Sequence, residues 1–275
     1  MKLIQITDIH LTTPGQTIAG RDPNANFVRA LSHALDHHPD AEAVIITGDL
    51  SDWGEAEDYE RLKAIIADTQ TPVHLCIGNH DDRETFLQSF PQLRDDAGFV
   101  QNVVPLSKGH AILLDTWENG THAGSYCEMR ARWLDAALDR LDGPVWVFMH
   151  HNPVPMGMAA MDQIMLQDAD RLGAVLSAHR EKIAHLFHGH CHLPLAGSFR
   201  GIPFTAPRGT NHAGWPDFGD TKVLAGSDLP EAYAVIQIHD HGDMMIHMVE
   251  YGYGGPIRRE GSPDKAEWDK LTMVR

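Results

Sequence analysis

VHLCIGNHD, residues 73–81, joins a short apolar run to four polar residues. The apolar part, 73–77, predicts a buried strand. The GNHD tetrapeptide follows at once, although polar groups beside a core cost free energy unless they find partners. Two interpretations are open. The tetrapeptide is either a turn in which Asp81 caps the next helix, or a site built at the end of a strand.

The segments around this stretch alternate between strand and helix patterns. Strands are predicted at 2–7, 43–47 and 71–77, and helices are predicted at 24–37, 55–68 and 82–90. This βαβαβ order indicates an α/β protein with a parallel sheet and right-handed crossovers. Further along the chain, the pattern predicts strands at 110–115, 144–149, 183–188, 231–239 and 243–250, and helices at 128–141 and 168–180.

The composition is that of an ordinary globular protein, with 43% apolar and 22% charged residues in a chain of 275. We expect one domain over 1–250, in which 153–182 forms a cap or an oligomer contact, followed by a surface arm over 251–275. No apolar run approaches the roughly 20 residues that span a bilayer. Because the N-terminal residues look like a strand and not a signal peptide, we expect a cytoplasmic protein. Three cysteines indicate no disulfide framework.

The formal net charge of −16 bears on the kind of partner. It argues against a nucleic acid polymer as ligand, because sequence-independent binding to DNA or RNA needs a basic face. It does not argue against a small anionic substrate, since bound metal ions can make one pocket locally positive.

Five predicted strands run into carboxylates and imidazoles at their C-terminal ends. The five segments are Asp8-Ile9-His10, Gly48-Asp49-Leu50-Ser51-Asp52, Gly78-Asn79-His80-Asp81, His150-His151-Asn152-Pro153 and Gly189-His190-Cys191-His192. Any one of them is explained by a helix cap or a satisfied polar side chain. Together they favour a site, because ligands bind at the C-terminal edge of a parallel sheet. Clustered carboxylates without a lysine or arginine among them need a cation.

The types of ligand indicate the kind of metal. Mixed Asp, Asn and His ligands suit Mn, Fe, Co or Zn and do not suit a thiolate-type structural zinc site. Seven potential ligands exceed the needs of one ion, so we expect two divalent ions that share a carboxylate. The seven are Asp8, His10, Asp49, Asn79, His150, His190 and His192. The spacing alone leaves open whether His188 replaces His192, and whether His151 replaces His150.

The five segments resemble the motifs of the calcineurin-like metallophosphoesterase family, in the family's order, over roughly residues 1–195. Those motifs are D-x-H, G-D-x-x-D, G-N-H-[DE], a histidine followed by an H-x-P-like stretch, and G-H-x-H. Leu114-Asp115-Thr116, with Gly124 and Arg132-Trp133-Leu134, is similar to the class III cyclic-nucleotide phosphodiesterases and the related glycerophosphodiesterases. The resemblance implies a four-layer α/β/β/α sandwich of two mixed sheets. It also implies hydrolysis of small phosphodiesters by a hydroxide held between two divalent metal ions.

The resemblance also assigns the ligands. The first ion takes Asp8, His10, Asp49 and His192, and the second takes Asp49, Asn79, His150 and His190. The family's glycine before the first ligand of the last motif favours 190/192 over 188/190, and its first-histidine rule favours His150 over His151.

The remaining site residues surround the reacting phosphorus. His80 is implied to be a catalytic, substrate-binding residue that donates a hydrogen bond or protonates the leaving group. Asp52 orients His80 or a ligand, and a role as the cap of the helix at 55–68 is an alternative that is compatible with it. His212 resembles a substrate-side histidine of the subgroup, and Arg21 and Arg208 are candidates for a second anionic group on the substrate. The methionine-rich stretch 153–165 is either an adaptable wall of the cleft or ordinary packing, in the core or between subunits of an oligomer.

Other functions compete with the diesterase. A phosphomonoesterase, a protein phosphatase or a nuclease of the same fold would share these motifs, and the acidic net charge disfavours the nuclease. A metal-binding scaffold without activity is a further alternative, and the retention of every motif residue argues against it. The resemblance also implies a homo-oligomer.

Overall fold

Two mixed β-sheets pack face to face, with helices on their outer sides, in the computed structural model of the protein, which describes residues 1–219 and 222–255. The predicted four-layer α/β/β/α sandwich is therefore confirmed. Most of the predicted C-terminal arm, 256–275, lies outside the described residues. The predicted division into a domain over 1–250 and an arm stays a prediction.

The elements follow the predicted order. The strands are β1 Lys2–Ile6, β2 Ala43–Thr47, β3 Val73–Cys76, β4 Asn102–Leu106, β5 Gly109–Leu113, β6 Val145–Phe148, β7 Ile183–Phe187, β8 Leu195–Phe199, β9 Ile202–Ala206, β10 Ala213–Gly214, β11 Gly226–Ser227, β12 Tyr233–Ile238 and β13 Met244–Val249. The helices are α1 Pro23–His37, α2 Ala56–Ala67, α3 Arg83–Ser89, α4 Glu128–Arg140, α5 Ala159–Asp162 and α6 Ala169–Ala178, with 3₁₀ turns at Pro91–Leu93 and Arg180–Lys182. Every predicted strand and helix is present, with ends within two residues of those predicted.

The first sheet has the strand order β13-β12-β1-β2-β3. β1, β2 and β3 are parallel, as the βαβαβ pattern predicts, and the antiparallel pair β12 and β13 extends the sheet beyond β1. The second sheet has the order β4-β5-β6-β7-β9-β8, in which the four central strands are parallel and the two edge strands are antiparallel. The strands β4, β8, β9, β10 and β11 were not predicted from the sequence.

Both faces of both sheets are covered, which explains the unbroken apolar runs of their strands. Large aromatic side chains fill the space between the sheets: Trp146, Phe148 and Phe187. The helices α1, α2 and α3 pack on the outside of the first sheet, and α4 and α6 pack on the outside of the second. A layer of helices therefore supports each sheet and holds its strand ends in place.

Helix α1 illustrates how local sequence sets these layers. Asp22 caps it by accepting a hydrogen bond from the backbone of Ala25 (3.1 Å), and Pro23 occupies its first turn. Phe27 and Leu31 lie four residues apart and are buried on the same face. No helix in the described ranges has the length and apolar character of a membrane-spanning segment.

Candidate metal centre

The loops that follow β1, β2, β3, β6 and β7 meet at one rim of the sandwich. The backbone N–H of Asp8 donates to the Gly48 carbonyl (3.1 Å), and the N–H of Gly189 donates to the His150 carbonyl (3.0 Å). The N–H of His190 donates to the Asp8 carboxylate (3.1 Å), which ties a loop of the second sheet to a loop of the first. The predicted convergence of distant segments is present.

Backbone strain concentrates at this rim. Seven non-glycine residues within the described ranges have positive φ, and five of them are predicted metal ligands. The five are Asp8, His10, Asp49, His190 and His192, with φ between 47° and 69°. A non-glycine residue in this conformation typically costs about 1–3 kcal/mol and persists only where its surroundings determine it. The chain tolerates this cost where a side chain has to be aimed at a common centre.

Glycines in the same motifs allow the loops to approach one another. A Cβ atom on Gly48 would lie 2.5 Å from His150 Nδ1, and one on Gly78 would lie 2.7 Å from His150 Cε1. A Cβ atom on Gly189 would lie 3.0 Å from the carbonyl oxygen of Thr47. Any side chain at these positions would therefore push the loops apart.

His10 and His192 direct unprotonated nitrogens at each other. Nδ1 of His10 lies 3.0 Å from a carboxylate oxygen of Asp52, and Nδ1 of His192 lies 3.0 Å from the carbonyl oxygen of His212. Because both partners accept hydrogen bonds, each Nδ1 carries the proton and each neutral ring keeps a lone pair on Nε2. The two Nε2 atoms are 3.2 Å apart. Two facing lone pairs at this distance need a proton or a metal ion between them.

Two carboxylates complete this first donor cluster. Nε2 of His192 lies 3.4 Å from Asp8 Oδ1, and Nε2 of His10 lies 3.6 Å from Asp49 Oδ2. The Oδ2 atom of Asp8 is buried without a hydrogen-bond partner. One donor atom from each of these four residues lies within 4.8 Å of the others. The cluster can therefore hold a metal ion.

A second donor cluster surrounds His150. Its Nδ1 donates to the carbonyl oxygen of Thr47 (2.8 Å), so its Nε2 is the nitrogen that faces Asn79 Oδ1 (3.0 Å) and Asp49 Oδ1 (3.3 Å). Neither oxygen can donate a hydrogen bond. The ring of His190 lies beside it, with 5.0 Å between centroids, and both ring nitrogens of His190 are buried without a partner. Buried acceptors that converge in this way fit a cation.

Asp49 joins the two clusters. Its Oδ2 atom faces His10 of the first cluster, and its Oδ1 atom faces His150 of the second. The backbone N–H of His80 also donates to Oδ1 (2.9 Å), which fixes the orientation of the carboxylate. Of the predicted ligands, Asp49 is thus the one placed to serve both clusters.

The charges at the site favour an added cation. Burial alone would raise the pKa of Asp8, but the neighbouring His192 and His150 imidazoles bring it down to about 2. Burial opposes a charge on His150, yet the Asp49 carboxylate raises the pKa of this imidazole to about 9. The Asp49 carboxylate therefore favours positive charge at this position of the pocket. The mixed imidazole, carboxylate and amide donors fit a borderline divalent metal.

The alternative histidines are engaged elsewhere. His151 Nε2 donates to the carbonyl oxygen of His122 (3.2 Å), and its Nδ1 accepts from the Thr116 hydroxyl (2.7 Å). With both nitrogens used, His151 has no lone pair free for a metal, although it lies near His150 and His190. The ring of His188 packs beside Phe204, with 5.3 Å between centroids, and its Nδ1 contacts the carbonyl oxygen of Gly189. The geometry favours His150 and the pair 190/192.

Asp52 contacts two histidines of the site. Its carboxylate accepts from His10 Nδ1, and its backbone carbonyl oxygen accepts from His80 Nδ1 (3.0 Å). The alternative that Asp52 caps the second helix is wrong, because that helix begins at Ala56 and has Glu55 at its N-cap position. The contacts instead fix which nitrogen of each ring faces the cavity.

Asp81 answers the question that the tetrapeptide raised, with a role that the sequence analysis missed. The cap of the next helix is Asp82, so the prediction of a cap at Asp81 is wrong. The buried Asp81 carboxylate accepts from the backbone N–H groups of Gly78 (2.7 Å), Leu50 (3.1 Å) and Ser51 (3.0 Å). It thereby ties the second motif loop to the third. The signal available in the sequence is that this carboxylate stands between the predicted ligand residues and the residue that caps the next helix.

A cavity of about 630 Å³ opens beside the donor clusters. The apolar part of its wall includes Met158, Met161, Ile164 and Leu193, and its polar part includes His80, His122 and His212. Met158 and Met161 also pack against Cys191 and Leu193. Both interpretations of the methionine-rich stretch, as a cleft wall and as packing, therefore hold for these two residues.

The polar residues that line the cavity provide few positive charges. Burial, with the neighbouring His192 and His10 imidazoles, lowers the pKa of His212 to about 2, which keeps its ring neutral. Of the described residues that line the cavity, Lys222 is the one lysine or arginine. Arg208 is paired with Glu250 (3.0 Å) and lies outside the wall.

Arg21 is also engaged away from the wall, in an ion pair with Glu231 (2.9 Å). Both arginines are thus paired with carboxylates and lie outside the wall, and their assignment to a second anionic group of the substrate stays a prediction. Their charges are used to hold the C-terminal part of the chain against the first sheet.

His122 is a second residue that the sequence analysis missed. Its imidazole lines the cavity and lies 2.9 Å from the amide nitrogen of Asn79. The signal available in the sequence is its position between the Leu114-Asp115-Thr116 motif and Gly124, two features that the resemblance already singled out.

A sandwich of two mixed sheets with an Asp/His/Asn donor set at the strand ends defines the class of metallophosphoesterases. Residues 1–194 match the model of the calcineurin-like phosphoesterase family. The chain therefore belongs to this family, and the predicted resemblance is confirmed. It is a hydrolase of phosphoric esters.

Relatives of similar length cover nearly the whole chain. A protein from Rhodopseudomonas palustris named "Probable cyclic nucleotide phosphodiesterase" is 37% identical over 262 residues, which are 94% of this chain and 95% of the relative. Glycerophosphodiester phosphodiesterase GpdQ of Enterobacter lignolyticus is 31% identical over 93% of this chain and 94% of its own. The crystal structure of a dimetal phosphatase from Danio rerio, at 16% identity, has a TM-score of 0.67 and covers 91% of this chain and 96% of its own, which supports the fold.

Proposed function

We propose that the protein is a dinuclear-metal phosphodiesterase for small phosphodiesters of the cyclic-nucleotide or glycerophosphodiester type. The observation that carries the proposal is the position of Asp49, whose two carboxylate oxygens face two separate donor clusters. The names of the relatives in the family support the diester substrate. The location in the cytoplasm and the homo-oligomer stay predictions.

The ligands divide between two ions. Asp8, His10, Asp49 and His192 would hold the first ion, and Asp49, Asn79, His150 and His190 would hold the second. When bound, such ions supply a hydroxide nucleophile near neutral pH and stabilise the negative charge on the phosphoryl oxygens. Mn, Fe, Co and Zn all suit these ligands.

The protein's own groups bind and orient the substrate. His80 borders the cavity, and because its Nδ1 donates to the Asp52 carbonyl, its Nε2 is the nitrogen available to the substrate. A proton on this Nε2 can pass to the departing alcohol oxygen. The Asp52 carboxylate also lies beside this ring, 3.7 Å from His80 Nδ1. His212, as a neutral imidazole on the same wall, supplies a further polar contact.

The wall of the cavity supports a small organic substrate. Met158, Met161, Ile164 and Leu193 provide apolar surface for the alcohol part of a diester. Methionine side chains adapt to ligands of different shape, so this wall fits more than one alcohol. The acidic net charge and the small volume disfavour a nucleic acid polymer.

The test is an assay of metal-stripped protein to which Mn²⁺, Zn²⁺, Co²⁺ or Fe²⁺ is added back. We expect hydrolysis of bis-(p-nitrophenyl) phosphate, a cyclic nucleotide and a glycerophosphodiester, with a lower kcat/KM for the monoester p-nitrophenyl phosphate. Elemental analysis should find two ions per chain. A higher kcat/KM for the monoester would refute the diesterase and favour a phosphomonoesterase.

The bridging role has its own test in Asp49→Ala. This variant should lose metal and turnover together, because both donor clusters lose an oxygen. Asp139→Ala, at an exposed position on the fourth helix, is the matched control and should keep both. An Asp49→Ala protein that still binds two ions with full affinity would contradict the bridging carboxylate.

A further inference from the structure

His122 contacts the nitrogen end of the Asn79 amide. Asn79 Nδ2 lies 2.9 Å from His122 Nδ1, while Asn79 Oδ1 lies 3.0 Å from His150 Nε2. An amide NH₂ group only donates, so His122 Nδ1 is the acceptor in this pair. The contact therefore decides which end of the amide faces the second donor cluster, and it selects the oxygen.

The backbone of His122 is itself held in place. His151 Nε2 donates to the His122 carbonyl oxygen (3.2 Å), and the Thr116 hydroxyl donates to His151 Nδ1 (2.7 Å). Thr116 and His151 are both fully buried. A Cβ atom on Gly124 would lie 2.5 Å from His151 Cγ, so only glycine leaves room for this arrangement. A chain of contacts thus runs from Thr116 through His151 and His122 to Asn79.

The orientation of Asn79 matters because the two ends of its amide have almost the same shape. Only the carbonyl oxygen can bind a cation, since the amide nitrogen carries two protons and no available lone pair. Without an acceptor at its nitrogen end, the amide can rotate and present that nitrogen to the second cluster. His150 cannot take over this role once its Nε2 proton has been released, because its Nδ1 is fixed by the Thr47 carbonyl and its Nε2 then offers the amide only an acceptor.

We propose that His122 is a positioning residue that directs the Asn79 carbonyl oxygen to the second metal ion and thereby sets the affinity of that site. The inference rests on the proposed dinuclear function. It also gives a role to Thr116, Gly124 and His151. None of these three residues takes part in a step of the hydrolysis. His122 is exposed at the rim, so its side chain can be changed without disturbing the core.

The experiment is a calorimetric titration of metal-stripped protein with Mn²⁺. In His122→Ala, we expect one of the two binding events to weaken by about 10- to 100-fold, as is typical when the hydrogen-bond partner of a ligand is removed. The other event should keep its affinity. His122→Asn should recover most of the loss, because its side-chain oxygen can accept from Asn79. His241→Ala, another exposed histidine, is the matched control and should bind as the wild type does.

A double-mutant cycle identifies the affected ion. Asn79→Ala should weaken the same event, and His122→Ala should add little in the Asn79→Ala background, because the two residues act through one contact. Thermal unfolding of the metal-free variants checks that each protein is folded.

The outcomes separate this inference from the proposed function. Wild-type protein that binds a single ion per chain overturns both. If the wild type binds two ions and His122→Ala binds them with unchanged affinities, the inference alone is overturned. Equal weakening of both events, or His122→Asn binding as weakly as His122→Ala, also overturns it, since either result points to a general structural effect.

Discussion

Gly78→Ala places the smallest possible side chain at a crowded point between the motif loops. The added Cβ would lie 2.7 Å from His150 Cε1 and closer still to the backbone nitrogen and the Oδ1 atom of Asp49. Ordinary contact begins at 3.4 Å, so the His150 ring alone would have to move by about 0.7 Å. The Asp49 backbone cannot swing aside as the end of a flexible side chain can.

The expected losses follow from this displacement. Forcing an extra methyl group into a packed site costs about 1–3 kcal/mol of unfolding free energy. The two residues that would move, His150 and Asp49, belong to the second donor cluster, and a misplacement of about 1 Å near reacting groups costs on the order of 100-fold in rate. We therefore expect Gly78→Ala to lose about 2 kcal/mol of stability and about 100-fold in turnover.

Two measurements test this expectation. Urea unfolding of the metal-free protein gives the stability change, and initial rates on bis-(p-nitrophenyl) phosphate with saturating Mn²⁺ give the rate. Gly254→Ala is the matched control, because a Cβ there meets nothing within 4 Å. If Gly78→Ala matched the control in both measurements, the claim that close loop approach builds the site would be refuted.

Two further predictions concern the histidines of the site. His80→Ala should keep both ions but lower kcat by about 10²- to 10⁴-fold. The loss should be greater for a methyl than for a p-nitrophenyl leaving group, because a poor leaving group depends most on protonation. Loss of metal from this variant would contradict the position of His80 outside the ligand set. Asp49 raises the pKa of His150 to about 9 against burial, so the metal-free ring is protonated at pH 7.5 and must release that proton when it becomes a ligand. The calorimetric enthalpy of Mn²⁺ binding at pH 7.5 should therefore vary with the ionisation enthalpy of the buffer, less so above pH 9, and an enthalpy independent of buffer would refute the assignment.

The parallel core of the fold could be predicted because its strands are short, apolar and bounded by turns and helices. The strands that were missed lack these features. β4 contains Pro105, and β9 contains Pro203, whose missing N–H argues against a strand when only local sequence is considered. β4 is an edge strand, where a proline is tolerated because one side of the strand needs no partner. In β8, Gly197 and exposed neighbours hide the pattern.

The convergence of the candidate metal ligands could be predicted because parallel strands bring their C-terminal ends to a common edge. The supporting residues could not. Asp81 is separated by about thirty positions from the loop that it ties down, and His122 by 43 from the amide that it contacts. Such contacts depend on how two loops lie in space, and no period or spacing in the sequence encodes that. The mistaken cap at Asp81 is an example, since a cap is the local explanation for a carboxylate before a helix.

The usual backbone preferences of non-glycine residues are not followed at the candidate metal ligands. Asp8, Asp49 and His190 adopt a left-handed backbone that glycine would occupy without strain. Glycine would supply no donor atom, so the strain follows from the need for a carboxylate or imidazole at a sharp turn. The metal-free protein keeps this strain together with buried carboxylates and with imidazole nitrogens that face one another. Because a ligand stabilises the state that it binds, the ions that restore charge balance should also stabilise the folded chain. Metal binding and stability are therefore coupled through the same few residues.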